Sequence, residues 1–342
     1  MVYEKFLLTC ETQDCAMALL QITNNLSQIN GKWLIAACEY NLAPICLSLL
    51  SLGINVNYQD ENGWSPLLLA CENGSWDCIL HLMECESLDV NIKSILPTGW
   101  TPLHAAVEHQ HSHMVCSLIS LGAMVDSMDE NGSTPLMLCS LNGNTDIARF
   151  LHLHGANCNI LTKQKRSAVW FGCYNGHLEI ISLLIMWGAK FWIRDSDERT
   201  PLHIASYNGH TYVVKYLIHI GSSVNVCDSE GDSPLHIALS RGHLKTALEL
   251  IKGGCSLFNM NYDRQTCYES MISMYDIKEC KILTDSYNCY QRWLRRKNYI
   301  LFLEGYKNSD NGEFKFVTLE GYSDELLQKC FLIYWQRIGK FL

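Results

Sequence analysis

Apolar and polar positions along this chain recur with a period much longer than that of one helix or strand. Residues 200–205 read Thr-Pro-Leu-His-Ile-Ala, and residues 233–238 read Ser-Pro-Leu-His-Ile-Ala, so that Ala205 and Ala238 lie 33 positions apart. In each segment the hydroxyl residue can cap a helix, and proline suits the first helical position. Glycine at 209 and 242 permits the positive φ that ends such a helix. Each unit therefore predicts one short helix, a turn and a second apolar helix.

The same register extends over most of the chain. A small residue marks the first helix of seven successive units: Ala37, Ala70, Ala106, Cys139, Gly172, Ala205 and Ala238. A glycine follows 16 positions later in six of these units, whereas the second has Glu86 there and three extra residues near positions 93–97. We interpret this pattern as seven repeats over about residues 29–262, with the insertion placed in an exposed loop.

This pattern resembles the ankyrin repeat, whose period and Thr-Pro-Leu-His signature it shares. The resemblance implies an all-α solenoid of helix-turn-helix units with β-hairpin-like loops, in which each unit buries its apolar face only by stacking on neighbours. We predict N-terminal capping helices at 1–28 and a degenerate capping repeat at 263–283. Residues 284–342 form a mostly helical extension of unrecognised type, with a helix around 290–303, a short strand at 314–319 and another helix at 324–341.

Composition narrows the class of protein. A formal net charge of -9 disfavours non-specific nucleic-acid binding. The 17 cysteines are scattered, and no secretory signal or long apolar run is present. We therefore expect reduced thiols that fill the core of a cytoplasmic protein, with a nuclear location as the alternative, and we expect no membrane contact.

Few residues suggest catalytic or metal chemistry. Most histidines fall on repeat positions, where the family uses them to satisfy backbone groups. His109, His111 and His113 alternate, but the register places them at a turn between helices, so we expect no metal there. No phosphate-binding loop or nucleophile elbow is present. We expect no cofactor, no metal and no enzymatic activity.

Two repeats carry a tryptophan where the repeat pattern has a different residue. Trp33 stands where proline is usual, and Trp170 occupies the histidine position of the fifth repeat, which also carries Trp187, Phe191 and Trp192. We favour local repacking against the neighbouring repeats. An aromatic anchor for a partner is the alternative.

The strongest candidate for a binding surface follows the first helices of the repeats. The second residue after each small residue should point into the concave groove, and the six that we predict to bind a partner are Glu39, Glu72, Glu108, Leu141, Tyr174 and Tyr207. Trp64 and Trp100 border the acidic half of this row. Acidic residues at the loop tips, among them Asp60, Asp129 and Asp195, add to the charge, although a merely solvated face is the alternative.

The extension contributes a basic patch, formed by Arg292, Arg295, Arg296 and Lys297. We expect it to dock on acidic repeat surface, with an acidic partner or a membrane as the alternatives. The whole sequence predicts a scaffold or adaptor that binds another protein with a basic and apolar segment. A regulatory or inhibitory subunit acting through the extension is one alternative, and an enzyme with an unrecognised C-terminal catalytic unit is another.

Overall fold

The protein is described from a computed structural model that covers residues 2–95 and 98–307, with side chains described for all of these except Met274 and residues 296–307. In this part of the chain the secondary structure is helical apart from one isolated antiparallel bridge between Met260 and Thr266. None of the helices described is both long and apolar enough to cross a bilayer.

Two N-terminal helices, α1 (Val2–Glu11) and α2 (Cys15–Asn24), precede seven helix pairs. We number the repeats one to seven by these pairs: α3 (Gly31–Glu39) and α4 (Ala43–Ser51), α5 (Pro66–Asn73) and α6 (Trp76–Met83), α7 (Pro102–Glu108) and α8 (Ser112–Ser120), α9 (Pro135–Asn142) and α10 (Thr145–Leu153), α11 (Ala168–Asn175) and α12 (Leu178–Met186), α13 (Pro201–Tyr207) and α14 (Thr211–His219), α15 (Pro234–Ser240) and α16 (Leu244–Lys252). Helices α17 (Cys267–Met274) and α18 (Ile277–Lys307) follow. The predicted all-α architecture is confirmed.

The first helix of a repeat begins as its sequence predicts. In α13, Thr200 and His203 form a reciprocal capping box, in which the ring Nδ1 of His203 accepts from the Thr200 backbone N–H at 3.1 Å. Ser233 and His236 repeat this arrangement at α15. Each cap satisfies backbone donors that a helix N-terminus otherwise leaves unpaired, which explains the recurrence of the motif.

The helices form two layers, an inner layer of first helices and an outer layer of second helices. Each inner helix contacts the inner helix of the next repeat, from α3 through to α17, and the outer helices contact their neighbours in the same way over most of the array. The small residues lie at these contacts, and Ala37, Ala70, Ala106, Cys139, Ala205 and Ala238 are each fully buried. Close stacking of this kind requires small side chains at the interface.

The loops between repeats are linked by backbone hydrogen bonds from one tip to the next. The Lys163 N–H donates to the Asn131 carbonyl at 2.9 Å, and the Ser229 N–H donates to the Asp197 carbonyl at 3.0 Å. Within each tip a polar side chain closes the turn, as when Asp195 Oδ1 accepts from the Arg199 N–H at 2.9 Å. The loops therefore repeat as regularly as the helices.

A second set of links joins the segments that follow the outer helices. Asn159 donates to the Gly188 carbonyl at 3.2 Å and accepts from the Lys190 N–H at 3.0 Å. The same side-chain clamp is made by Asn57, Asn91 and Asn225. Trp192 occupies this position in repeat five, where its indole has no atom that could accept a backbone N–H. The clamp is thus absent between repeats five and six.

The two ends of the array differ. At the N-terminus Phe6 of α1 stacks on Trp33 with ring centroids 4.1 Å apart, and both are buried. At the C-terminus the chain divides into two compact units, residues 1–287 and 288–342, and helix α18 begins in the first of them. The predicted boundaries at 28, 262 and 283 stay predictions. The strand and helix predicted at 314–319 and 324–341 lie outside the described residues.

Candidate interaction surface

The six groove positions occupy equivalent places near the C-terminal ends of the inner helices. A ladder of asparagines positions several of them, because each asparagine donates to the backbone carbonyl of the candidate residue one repeat earlier. Asn175 Nδ2 lies 2.6 Å from the Leu141 carbonyl oxygen, and Asn208 Nδ2 lies 2.9 Å from that of Tyr174. The row is therefore held to the neighbouring repeat at its backbone.

The acidic end of the row is larger than the sequence suggests. Burial raises the pKa of Glu39 above its usual range, and the nearby carboxylates of Glu11 and Glu72 raise it further. Glu11 is the last residue of α1 and was not predicted. Among the described residues no Lys, Arg or His lies within 4.0 Å of these three carboxylates. Within the described part of the chain, their negative charge is therefore not compensated by an ion pair.

Glu108 differs from the other two predicted glutamates. Its Oε2 accepts a hydrogen bond from Asn142 Nδ2 at 3.0 Å, and the same amide also reaches the Glu108 backbone carbonyl at 3.3 Å. A neutral amide partner fixes the carboxylate without cancelling its charge. Glu108 therefore lies at the transition between the acidic and the aromatic parts of the row.

The aromatic end contains two tyrosines in different surroundings. Tyr174 is 44% exposed and stacks on Trp170, with ring centroids 5.4 Å apart. Arg166 covers the same indole at 4.2 Å. Tyr207 is partly covered by Arg241, whose guanidinium carbon lies 3.9 Å from the ring centroid and which also donates to the tyrosine hydroxyl. A cation–π contact thus holds Tyr207, whereas Tyr174 is held by stacking on the indole that Arg166 covers.

The two bordering tryptophans are partly withdrawn from the surface, and their role in binding a partner stays a prediction. Trp64 and Trp100 are half-buried and pack against the hydrophobic core. Their backbone amides are bound by turn residues, since Asp60 Oδ1 accepts from the Trp64 N–H at 2.8 Å. Sequence spacing placed them correctly beside the acidic helices, but it could not show how far each ring is withdrawn into the core.

Three acidic residues at the loop tips bind within their own turns, whereas Glu61 and Glu130 of the same tips are exposed. Asp195 is only 2% exposed, because its carboxylate accepts from backbone N–H groups of its own turn and from the indole Nε1 of Trp170 at 2.9 Å. Asp60 and Asp129 close their turns in the same way. These aspartates stabilise the loops and do not form a free acidic rim.

The fifth repeat shows why tryptophan can replace histidine. Trp170 is 6% exposed, and its N–H reaches the next repeat at Asp195. The ring therefore packs and binds within the array, in agreement with the repacking interpretation. Trp192 of the same repeat is 61% exposed and remains a candidate for contact with a partner.

The family model for ankyrin repeats matches the chain in three copies, at residues 33–129, 112–195 and 173–261. Together these matches cover more than half of the 342 residues. The chain belongs to the ankyrin-repeat family. The histidines agree with this assignment, since His203 and His236 cap inner helices. The Nε2 of His210 lies 2.9 Å from the carbonyl oxygen of Tyr174, in the preceding repeat.

Curated ankyrin-repeat and related proteins match parts of this chain. A B-cell lymphoma 3 protein homolog of Mus musculus is 30% identical over 144 residues, which are 41% of this chain and 31% of that protein. Ankyrin repeat and SOCS box protein 11 of Mus musculus is 32% identical over 105 residues, 31% of each chain. SMC5-SMC6 complex localization factor protein 1 of Bos taurus is 28% identical over 134 residues, 38% of this chain and 12% of that protein. The chain thus matches less than a third of the length of each.

The three alternating histidines and the basic patch of α18 give less information about a binding surface. The rings of His109 and His111 lie 6.1 Å apart, whereas His113 lies beside Trp76. Arg292 and Arg295 are exposed on α18, and the side chains of Arg296 and Lys297 lie outside the described ones. Sequence reasoning missed the contribution of Glu11 and Arg241 to the row, because their contacts join residues from different repeats or from the capping helix.

Proposed function

We propose that this ankyrin-repeat protein is a non-enzymatic scaffold or adaptor, which binds a partner protein along the inner-helix row. The observation that carries the proposal is the division of this row into two parts. Uncompensated carboxylates occupy one end, and a half-exposed tyrosine supported by an indole occupies the other. The partner segment that fits is basic at one end and apolar at the other.

The two parts contribute differently to binding. The carboxylates of Glu39 and Glu72 attract lysines or arginines, so they mainly set the association rate and its dependence on salt. Tyr174 offers a ring that already stacks on Trp170, whose indole Arg166 covers, so little entropy is lost when a partner covers the tyrosine. A tyrosine that a partner buries in the centre of an interface is worth about 2 kcal/mol of binding.

The relatives support a role in protein assembly. One is named a localization factor for a protein complex, and another combines ankyrin repeats with a SOCS box. We extend from these names only the general role of bringing proteins together. The cysteines of the described part are free, which fits the cytoplasm or the nucleus as the location.

Selection of displayed random peptides on the full-length protein tests the proposal without a known partner. We expect enrichment of peptides that combine lysine or arginine with an apolar or aromatic segment. On a variant with Glu39, Glu72 and Glu108 changed to Gln, the basic residues should lose their enrichment. On a Tyr174→Ala variant, the apolar segment should lose its enrichment instead.

A matched variant controls for effects on folding. Ser240→Ala changes the equivalent position of repeat seven, which is exposed and lies outside the proposed row. It should select the same peptides as the wild type. Peptides that bind all of these variants equally well would exclude the inner-helix row as the binding surface, and would favour the convex face or the C-terminal extension.

A further inference from the structure

Three cysteines converge in the joint between repeats one and two. Cys38 of α3, Cys46 of α4 and Cys78 of α6 are all fully buried, and their sulfur atoms lie within 4.8 Å of one another. They come from two repeats and from both helical layers. Among the described residues, no other set of three potential ligands from His, Cys, Asp and Glu converges in this way.

The joint is unusual when it is compared with equivalent joints of the array. The positions of Cys38, Cys46 and Cys78 correspond, one repeat later, to Cys71, Ile79 and Met114, and in further joints to sets such as Val107, Val115 and Ile147 or Ser140, Ala148 and Ile180. Apolar or small residues therefore fill this space adequately elsewhere. Packing alone does not require three thiols at one joint.

The geometry suits a metal ion. A metal–sulfur bond of about 2.3 Å places three sulfurs about 4.0 Å apart around an ion in their plane. Sulfurs already within 4.8 Å of one another reach that spacing through small side-chain movements. No fourth donor from the described His, Asp and Glu residues joins them within the same distance.

We propose that Cys38, Cys46 and Cys78 form a three-sulfur binding site for a soft monovalent cation, namely Cu⁺. Thiolates select soft ions such as Cu⁺ over hard ones. A structural zinc ion requires four ligands, and the described residues supply three at this buried site. Each thiol that becomes a thiolate releases one proton to solvent when the ion binds. Ligation of Cu⁺ by one thiolate and two neutral thiols releases one proton and leaves the buried site without net charge.

The bound ion would link helices α3, α4 and α6 across the joint. Cys38 directly precedes Glu39, so this link would stiffen the part of the inner-helix row that carries the acidic residues. Binding to the folded state alone also raises the thermal midpoint of unfolding. The site is therefore a means of tying the stability of the first joint to the supply of Cu⁺.

The test uses the reduced full-length chain, in which exposed thiols are first alkylated under native conditions. Cu⁺ is then titrated without oxygen in the presence of bicinchoninate, a competing chelator. We expect one equivalent to be retained by the protein, and we expect Cys38→Ala to lower the affinity by about 100-fold or more. Cys71→Ala is the matched control, because Cys71 is equally buried at the same position of the next repeat.

X-ray absorption at the copper edge of the wild-type protein gives an answer that does not depend on any variant. We expect a shell of three sulfurs at about 2.3 Å. Failure to retain an equivalent of Cu⁺, an equal loss of affinity in Cys71→Ala, or a shell containing nitrogen or oxygen would each overturn the proposal. Retention of Zn²⁺ in preference to Cu⁺ would overturn it as well.

Discussion

Repeats five and six hold their neighbours by different chemistry at the same position. In repeat six the Nδ1 of His203 accepts from the Thr200 N–H, and its Nε2 lies 3.2 Å from the Asp232 carbonyl oxygen of the next loop. In repeat five Trp170 cannot accept at the cap, but its indole donates to the Asp195 carboxylate of the next loop. The link between repeats is kept, whereas half of the cap is lost.

This difference shows which part of the motif the stack requires. Both side chains are buried and both carry an N–H that reaches the following loop. Histidine adds a bond to its own helix, at the expense of burying a group that can titrate. Tryptophan adds apolar surface and stacks on Tyr174, so it couples the repeat interior to the inner-helix row.

The largest effect is expected where the two repeats share a requirement for a small side chain. Ala205 is fully buried between inner helices, so Ala205→Glu would bury an unpaired charge and lower the free energy of unfolding by about 4 kcal/mol. Urea denaturation followed by circular dichroism measures this loss. Ser240→Glu, at an exposed position, is the control. An unchanged midpoint for Ala205→Glu would refute the repeat register.

The histidine-based link should depend on pH. Burial lowers the pKa of His203 to about 4 from 6.5, so the folded protein binds fewer protons than the unfolded chain between these values. The stabilisation is therefore complete above pH 6.5 and is lost as the pH falls towards 4, by about 3 kcal/mol for this group. Urea midpoints at several pH values should show a flatter profile for His203→Gln. Replacement of the exposed His219 by Gln should leave the profile unchanged, and an equal flattening in both variants would argue against a specific role.

The tryptophan-based link is tested by removing only its N–H. Trp170→Phe keeps an aromatic ring but removes the donor to the buried Asp195 carboxylate, so we expect a loss of about 2 kcal/mol in the free energy of unfolding. Trp187→Phe, at a ring that stacks on His152, controls for the smaller side chain. Equal losses in the two variants would mean that the hydrogen bond contributes nothing beyond ring packing.

The smallest effect concerns the exchange of glycine and alanine between the two repeats. A Cβ at Gly172 would meet Ile181 Cγ1 at 2.9 Å, so Gly172→Ala crowds the core although it favours the helix. We expect a net loss of about 1 kcal/mol. Ala205→Gly should also be destabilising, since it removes a buried methyl and weakens the helix. A gain in stability for Gly172→Ala would show that the joint can relax around the new methyl.

The sequence was sufficient to predict the repeats because their signals are local. Capping residues, the glycine after each inner helix and the small buried residue all act within one unit, so spacing alone specifies them. The caps at Thr200 and Ser233 are confirmed in detail. The two N-terminal helices also lie where the apolar pattern predicted them, whereas the helix predicted around residues 290–303 is part of the longer α18, which begins at Ile277.

The contacts between repeats were harder to predict. The acidic contribution of Glu11, the cover of Arg241 over Tyr207 and the convergence of the three cysteines all join residues about 30 or more positions apart, or residues from a capping helix. Periodicity fixes which positions face each other, but it does not give side-chain rotamers. The identity of a partner is not a property of the repeat pattern at all.

The tryptophan that interrupts the asparagine clamps has a consequence for how the array comes apart. Cooperative unfolding of a repeat protein depends on the coupling between neighbours, and a joint with fewer bonds transmits that coupling less well. We therefore expect coupling to be weakest between repeats five and six, next to Trp192, whereas Asp126 keeps the accepting half of the clamp between repeats three and four. When tension is applied at the two ends of the array, we expect repeat six to separate from repeat five first. The exposed indole of Trp192 lies at this joint.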